Sequence, residues 1–235
     1  MPAPANPVFC AIDRLDLEGA VTLARSLVDE VGGLKLGLEF FTAQGPAGVR
    51  AVAECGLPLF LDLKLHDIPN TVAGAVRSAA GLGASFLTLH GCGGPAMLAA
   101  AAEAAAKLPS PPQLLAITVL TSLDRDDLAR VGVRSDPLEQ ALLLGTLALE
   151  QGIDGIVCSA HEIEPLRDAL GPDALIAVPG LRPEGASAGD QKRVMTPAQA
   201  LEAGADLLVV GRPITAAADP ALAARAILAG LLKAA

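Results

Sequence analysis

Apolar residues recur along this chain in eight short runs, which are separated by longer stretches with a helical repeat. The runs have the length of strands and are rich in Val, Ile, Leu and Phe. They are VFCAID (8–13), GLKLGL (33–38), LFLDLK (59–64), SFLTLH (85–90), LLAITVL (114–120), GIVCSA (155–160), LIAVPG (175–180) and DLLVVG (206–211). This pattern predicts eight β-strands.

The stretches between the runs are rich in Ala and Leu at helical spacing, and several end in Gly, as helices often do. Thr196 and Pro197 open one of them and suit an N-cap and a first helical position. Strands that alternate with helices predict parallel βαβ units. Eight such units predict a (β/α)₈ TIM barrel. With no Pro/Ser-rich linker in the chain, we expect one domain over residues 1–235.

A doubly wound open sheet is the alternative fold. It usually has fewer repeats and a G-x-G-x-x-G motif after the first strand, and no such motif follows VFCAID. In a barrel, functional groups lie at the C-terminal ends of the strands. Polar residues and glycines do collect at the ends of the eight runs, namely Asp13, Lys35, Asp62, Lys64, His90, Thr121, Ser122, Gly180, Gly211 and Arg212.

The third run carries charges through an otherwise apolar strand. Asp62 and Lys64 share one face, and Leu61, Leu63 and Leu65 share the other. The leucines suit the helix layer, so the two charges are predicted to point into the barrel mouth, with Asp67 in the loop beyond. An ion pair that merely fills the barrel is the structural alternative, but buried pairs stabilise a fold weakly.

Lys35 and Asp13 add a cation and an acid at neighbouring strand ends, which favours a functional site over a structural ion pair. Asp62 and Asp67 are expected to keep Lys64 charged. A charged lysine can stabilise a developing carbanion and then donate a proton to it.

The loops after the seventh and eighth runs are candidates for phosphate binding, as in many barrels. The loop LRPEGASAGDQKRVMTP is long enough to act as a lid. Its candidate ligand-binding residues are Arg182 and Gln191. The alternative is a solvated loop with ordinary surface charges, which the pattern favours for Lys192 and Arg193. At the end of the eighth run, Gly211 permits a close backbone approach, and Arg212 can bind a phosphate with both arms of its guanidinium group.

Composition narrows the class of protein further. The net charge of −9, with five Phe and no Tyr or Trp, argues against a nucleic-acid-binding surface. No apolar run approaches the roughly 18 residues of a membrane span. The start MPAPANPVFC lacks a positively charged region before an apolar core, so we expect no secretory signal and a cytoplasmic protein.

The cysteines and histidines form no metal-binding pattern. We expect the four cysteines to be reduced and mostly buried, and Cys92 in HGCGG is the one candidate for a reactive thiol. His66 is expected to be structural or solvent-facing, and His90 to lie at the edge of the site.

The motif D-x-K-x-x-D-I-x-x-T, formed by Asp62, Lys64, Asp67, Ile68 and Thr71, resembles that of the orotidine 5′-phosphate decarboxylase family. PGLRPEGASAGDQKRVMTP resembles the family's phosphate loop. The stretches AID, GLKLG, VLTS and VVGRPI fit in order, so the resemblance covers nearly the whole chain. It implies a barrel of the ribulose-phosphate-binding type that decarboxylates orotidine 5′-phosphate to uridine 5′-phosphate (UMP), the last step of pyrimidine nucleotide synthesis.

The resemblance further implies a homodimer that needs no cofactor or metal, with Asp67 and Thr71 completing the partner's site. Lys64 would stabilise and protonate the carbanion, Asp62 would face the departing carboxylate, and Asp67 would orient Lys64. Lys35 and Asp13 would hold the ribose hydroxyls, and Lys35 would also be catalytic by extending the alternating charge network. The implied substrate-binding residues are Asp13, Lys35, Ile68, Thr71, Thr121, Ser122, Pro179, Arg182, Gln191, Gly211 and Arg212, with Thr121 and Ser122 reading the pyrimidine edge and Arg182 anchoring the lid.

Two other functions remain open from the sequence. A Mg²⁺-dependent sugar-phosphate synthase or aldolase on the same barrel carries a similar D-x-K-x-x-D element, but the DQKRVMTP loop argues against it. A non-catalytic nucleotide-binding barrel should have lost a charge of the third strand, and Asp62, Lys64 and Asp67 are all present.

Overall fold

Eight parallel strands alternate with helices and close into a barrel. The computed structural model describes residues 4–13, 16–183 and 195–234. The strands are β1 Val8–Ile12, β2 Gly33–Gly37, β3 Leu59–Leu65, β4 Phe86–His90, β5 Gln113–Ile117, β6 Gly155–Val157, β7 Leu175–Pro179 and β8 Leu207–Val210. Their order around the barrel follows the chain, and β1 pairs with both β2 and β8. The predicted (β/α)₈ TIM barrel is confirmed, and the open-sheet alternative is excluded.

The helices form the layer outside the barrel. They are α1 Leu17–Ser26, α2 Leu38–Ala53, α3 Pro69–Ala80, α4 Pro95–Ala106, α5 Arg125–Arg130, α6 Pro137–Glu150, α7 Ile163–Leu170, α8 Pro197–Glu202, α9 Arg212–Thr215 and α10 Pro220–Ala234. Thr196 caps α8 as predicted, because its hydroxyl accepts a hydrogen bond from the Gln199 N–H at 3.2 Å. None of these helices, within the described part of the chain, combines the length and apolar character that crossing a bilayer requires.

Two strands, β5 and β6, end three residues before their apolar runs do. The run LLAITVL extends to Leu120, but β5 ends at Ile117, because Val119 and Leu120 leave the sheet and line a cavity at the barrel mouth. The run GIVCSA likewise extends beyond β6, which ends at Val157. The apolar runs therefore predicted buried residues correctly, but they did not predict the C-terminal ends of these two strands.

Three phenylalanines fill the barrel interior. The rings of Phe9, Phe60 and Phe86 pack with centroid separations of 5.6–6.3 Å, two of the three pairs edge to face. A side chain at Gly33 would overlap the ring of Phe9, so the glycine makes room for this layer. Because Phe60 precedes Asp62 by two residues on one face of β3, this aromatic layer lies below the charged residues.

The leucines of β3 face the opposite way from its charges. Leu59 and Leu61 are buried in the apolar layer between barrel and helices, and Leu63 and Leu65 pack against it. Phe60 belongs to the cluster inside the barrel. The predicted division of β3 into a helix-facing and an inward-facing side is confirmed.

Candidate active site

A cavity of about 200 Å³ lies at the C-terminal mouth of the barrel. Its charged lining comes from Lys35 on β2 and from Asp62 and Lys64 on β3. Thr121 and Pro179 add to the wall, and the other lining residues are apolar: Phe60, Ile117, Val119, Leu120, Val157, Cys158 and Val209. A mostly apolar hollow with a few converging charged groups has the composition of a small-molecule site.

Four charged side chains form a chain of alternating sign along one side of this mouth. The Lys64 Nζ lies 2.8 Å from the Asp62 Oδ2, and the Lys35 Nζ lies 3.5 Å from the same oxygen. Lys35 also lies 3.5 Å from the Asp13 Oδ2, at the end of β1. The order Asp13, Lys35, Asp62, Lys64 places each cation beside a carboxylate, so none of these buried or half-buried charges is left uncompensated.

The surroundings of Asp62 favour its ionised form. Burial by itself raises the pKa of this carboxyl group. The positive charges of Lys35 and Lys64 lower it, as do hydrogen bonds from Lys64 and Thr88, and together they outweigh burial. The pKa of Asp62 therefore lies below its ordinary value, and the group is a carboxylate at neutral pH.

The β3–β4 pairing is irregular where the charges lie. Leu61 pairs with Leu87, and the next matched pair is Leu65 with Leu89. Three residues of β3 (62–64) therefore face a single residue of β4, Thr88. Within this bulge, Lys64 has a φ of 51°, which makes it the one non-glycine residue in the described part of the chain with a positive φ. Such a backbone costs about 1–2 kcal/mol for a residue with a side chain.

Two residues that the sequence reasoning missed shape this site. The fully buried Thr88 donates to the Asp62 Oδ1 at 2.9 Å and accepts from the Lys64 N–H at 2.9 Å. A Cβ at Gly37 would lie 2.7 Å from the Asp13 Oδ1 and 2.8 Å from the Lys35 Nζ, so only glycine leaves this pair undisturbed. Thr88 could have been found as a polar residue on the inward face of a strand beside the charged one.

The segment from Asp67 to Thr71 follows β3 and includes the first turn of α3. All five of its residues are exposed, and the Ile68 side chain is a large apolar group at 68% exposure. The Asp67 carboxylate accepts the Ile68 N–H at 2.6 Å. Within this one chain the carboxylate that contacts Lys64 is that of Asp62, so the expected contact of Asp67 with Lys64 is not part of the described protomer.

Two arginines follow β7 and β8. Arg182 is buried, and its pKa lies below the ordinary value because of burial and because of the nearby positive charge of Arg212. Arg212 is exposed and begins α9 directly after Gly211. A Cβ at Gly211 would meet only the Ala11 Cβ, at 3.7 Å, an ordinary contact. Two neighbouring guanidinium groups at these strand ends favour an anion between or beside them.

The loop after β7 is only partly described. The Arg182 N–H donates to the Met195 carbonyl at 3.1 Å, which joins the two described ends of this loop. The predicted phosphate ligand Gln191, with Lys192 and Arg193, lies outside the described residues. The predicted lid falls in the same stretch.

Thr121 and Ser122 are exposed in the turn that follows β5, where Thr121 lines the cavity. His66 is exposed and His90 half-buried, with their ring centroids 5.4 Å apart. Burial lowers the pKa of His90, and His66 and Lys64 lower it further, so this imidazole is neutral at pH 7. Cys92 is exposed, yet partial burial of its thiol raises the pKa, which opposes thiolate reactivity.

A second hollow, of about 730 Å³, lies at the opposite end of the barrel. Its lining is mainly Ala, Gly and Pro, and its one charged residue, Asp154, accepts the Leu114 N–H at 2.7 Å. Small apolar side chains supply no catalytic group, and the Asp154 carboxylate already accepts a backbone hydrogen bond. The smaller, charged cavity is therefore the candidate site. No group of three His, Cys, Asp or Glu side chains within residues 4–13, 16–183 and 195–234 gathers as metal ligands.

A closed parallel barrel with lysines and aspartates at its C-terminal strand ends has the architecture of the (β/α)₈-barrel enzymes. The chain belongs to the orotidine 5′-phosphate decarboxylase / HUMPS family, whose model matches residues 6–227.

Relatives named orotidine 5′-phosphate decarboxylase match this chain over nearly its full length. The protein of Paramagnetospirillum magneticum is 54% identical over 231 residues, which cover 96% of this chain and 98% of the relative. That of Rhodospirillum rubrum is 54% identical over 228 residues, with coverages of 94% and 92%. The crystal structure of orotidine 5′-phosphate decarboxylase from Lactobacillus acidophilus is similar with a TM-score of 0.82 at 37% identity, covering 96% of this chain and 99% of that one.

Proposed function

We propose that this protein decarboxylates orotidine 5′-phosphate to UMP, the last step of pyrimidine nucleotide synthesis. The observation that carries the proposal is the alternating chain Asp13, Lys35, Asp62, Lys64 at the cavity wall. The family and the named relatives supply the substrate. We also propose that the protein is a single barrel domain over residues 1–235, acts in the cytoplasm and works as a homodimer.

The reaction needs electrostatic rather than resonance stabilisation. When the bond between C6 and the carboxylate breaks, the electron pair stays in an orbital in the plane of the pyrimidine ring, where the π system cannot delocalise it. The ammonium group of Lys64 would stabilise this pair and then donate a proton to C6 as CO₂ leaves. Lys64 would regain its proton from solvent.

Asp62 has two parts in this proposal. Its carboxylate holds the Lys64 ammonium 2.8 Å away, in the wall of the cavity. Its negative charge would also lie beside the substrate carboxylate and raise the free energy of the bound substrate, a cost relieved as CO₂ forms. Because the pKa of Asp62 is lowered, this repulsion would persist throughout the neutral pH range.

The other candidate residues would bind the rest of the nucleotide. Lys35 and Asp13 would hold the ribose hydroxyls, and Thr121 and Ser122 would read the pyrimidine edge beside Pro179. Arg212, the Gly211 N–H and Gln191 would bind the phosphate, with Arg182 anchoring the loop. Binding energy from this remote phosphate would contribute to the chemical step.

The exposed segment from Asp67 to Thr71 would complete the site of a second protomer. Asp67 would orient the partner's lysine, and Ile68 and Thr71 would contact the partner's substrate. The support for this arrangement is the exposure of all five residues, including the large apolar Ile68. An exposed apolar side chain beside a carboxylate suits an interface that also supplies a charge to a site.

The first experiment is to follow the ultraviolet absorbance of orotidine 5′-phosphate mixed with the purified protein in EDTA. We expect a decay in the wild type and a loss of kcat of at least about a thousandfold in Lys64→Ala, with UMP binding still measurable by calorimetry. Lys107→Ala is the matched control, because Lys107 is exposed directly after α4 and pairs with Glu103. Folded wild type without decay would refute the proposal, and Mg²⁺ with pentulose phosphates would then be tested.

A further inference from the structure

Thr88 joins the two central charged residues through one hydroxyl group. It donates a hydrogen bond to the Asp62 Oδ1 and accepts one from the Lys64 backbone N–H, both at 2.9 Å. We propose that Thr88 is a positioning residue for the decarboxylation, which sets the orientation of Asp62 and the backbone of Lys64 without touching the substrate. The inference rests on the proposed function of the site.

The strand register explains why the Lys64 backbone needs this hydroxyl. Between the pairs Leu61–Leu87 and Leu65–Leu89, the β3 backbone departs from the regular ladder. In that stretch the Lys64 N–H is bound by a side chain of β4 instead of a strand carbonyl. Lys64 also has its positive φ there. The Thr88 hydroxyl therefore supplies the acceptor that a conformation unfavourable for a lysine requires.

Because of this hydroxyl, the two oxygens of the Asp62 carboxylate have different partners. Oδ1 accepts from Thr88, whereas Oδ2 contacts Lys64 and Lys35. With Oδ1 fixed, Oδ2 stays directed at both ammonium groups. Without the hydroxyl, the carboxylate could rotate about its terminal bond, and the Lys64 ammonium would lose a fixed partner.

The burial of Thr88 supports a positioning role and argues against direct contact with the substrate. Thr88 is fully inaccessible to solvent, while Asp62 and Lys64 line the cavity. A substrate in the cavity would thus meet the two charged groups, and Thr88 would act only through them. The charged groups around Asp62 are Lys35 from β2 and Lys64 from its own strand, with Asp13 of β1 on the far side of Lys35.

The test replaces Thr88 by Ser, Cys and Val, which retain, weaken and remove the hydrogen bonds. We expect Thr88→Val to lower kcat about 10- to 100-fold with KM changed less than about threefold, since the lost interaction matters mainly in the transition state. Thr88→Ser should keep kcat within about threefold of wild type, with Thr88→Cys between the two. The matched control is Thr118→Val, which removes another buried hydroxyl, bonded to the Val157 carbonyl at 3.0 Å.

A readout independent of activity is the titration of the Asp62 carboxyl carbon by NMR. The bond from Thr88 lowers the pKa of Asp62, so Thr88→Val should raise it and Thr88→Ser should not. An unchanged titration in Thr88→Val would overturn the inference. So would a kcat within twofold of wild type in folded Thr88→Val, or a Ser variant as impaired as Val.

If Thr88→Val does not fold, the inference is tested by comparing the kcat values of Thr88→Ser and Thr88→Cys. A lower kcat for Cys than for Ser supports the inference, and equal values overturn it. Failure of the proposed function has a different signature, because wild type itself would then leave orotidine 5′-phosphate unchanged.

Discussion

Asp62 and Lys64 lie two residues apart on one strand, and the Asp62 Oδ2 and the Lys64 Nζ are 2.8 Å apart. The same oxygen lies 3.5 Å from the Lys35 Nζ, so one carboxylate oxygen serves two ammonium groups. Removing the carboxylate would leave two neighbouring cations at the barrel mouth. Because an uncompensated charge in a partly buried site is costly, this oxygen contributes to stability and, in the proposed function, to activity.

The stability contributed by Asp62 should depend on pH in a defined window. Its folded pKa is lowered, so its contribution is fully present above the unfolded pKa of ~3.9 and is lost as the pH falls through the folded pKa. We expect Asp62→Asn to lower the free energy of unfolding by about 1–3 kcal/mol at pH 7. Urea unfolding should show this difference constant above about pH 5 and shrinking below about pH 4. A difference that stays constant to pH 3 would contradict the lowered pKa.

Gly37→Ala should impair the site without unfolding the protein. The atoms nearest to the added Cβ are the ends of two flexible side chains, Asp13 and Lys35, which can move away. We expect the free energy of unfolding to change by less than about 1 kcal/mol. KM for orotidine 5′-phosphate should rise about tenfold or more, because the proposed ribose ligands are displaced.

The matched control is Gly230→Ala on the exposed side of α10, where a Cβ meets nothing within 4 Å. This change should leave kinetics unaltered and stabilise the helix by about 0.5–1 kcal/mol. Thermal unfolding and steady-state kinetics of both variants give the comparison. Equal KM values in Gly37→Ala and wild type would show that the Asp13–Lys35 pair does not bind substrate.

Arg212→Ala should weaken recognition of the phosphate. We expect a higher KM and a kcat/KM lower by about 10²-fold or more for orotidine 5′-phosphate, because a charge-assisted hydrogen bond is lost. For orotidine, which has no phosphate, kcat/KM should stay near the wild-type value. Arg25→Ala on the exposed face of α1 is the control and should affect neither substrate. An equal loss for both substrates would place Arg212 outside a phosphate site.

The proposed exchange of Asp67 between protomers predicts complementation. Lys64→Ala and Asp67→Ala homodimers should each be nearly inactive. If the two variants are mixed and allowed to exchange subunits, half of the dimers are mixed, and each of these has one site with both native residues. We expect recovery of about one quarter of the wild-type activity per chain. No recovery, with exchange verified by tagged chains, would mean that Asp67 acts within its own protomer.

The order of strands and the direction of the β3 side chains were predictable from the sequence. Alternation in LFLDLKL sends Asp62 and Lys64 to one face and the leucines to the other, and the leucines pack outward as expected. The strand ends at β5 and β6 were less predictable, because Val119 and Cys158 are as apolar as the strands before them. Both are buried at the barrel mouth, where an apolar side chain need not belong to a strand.

The barrel and the residues at its mouth were predictable from the amino-acid sequence, because periodicity and strand ends depend on residues that are close together in the chain. Which of these residues contact one another depends on the three-dimensional fold. The three-against-one register that sets Thr88 opposite Asp62 and Lys64, and the closeness of Gly37 to Asp13 and Lys35, depend on how separate strands are aligned. That alignment is fixed by packing across the whole barrel, so no short stretch of sequence contains it.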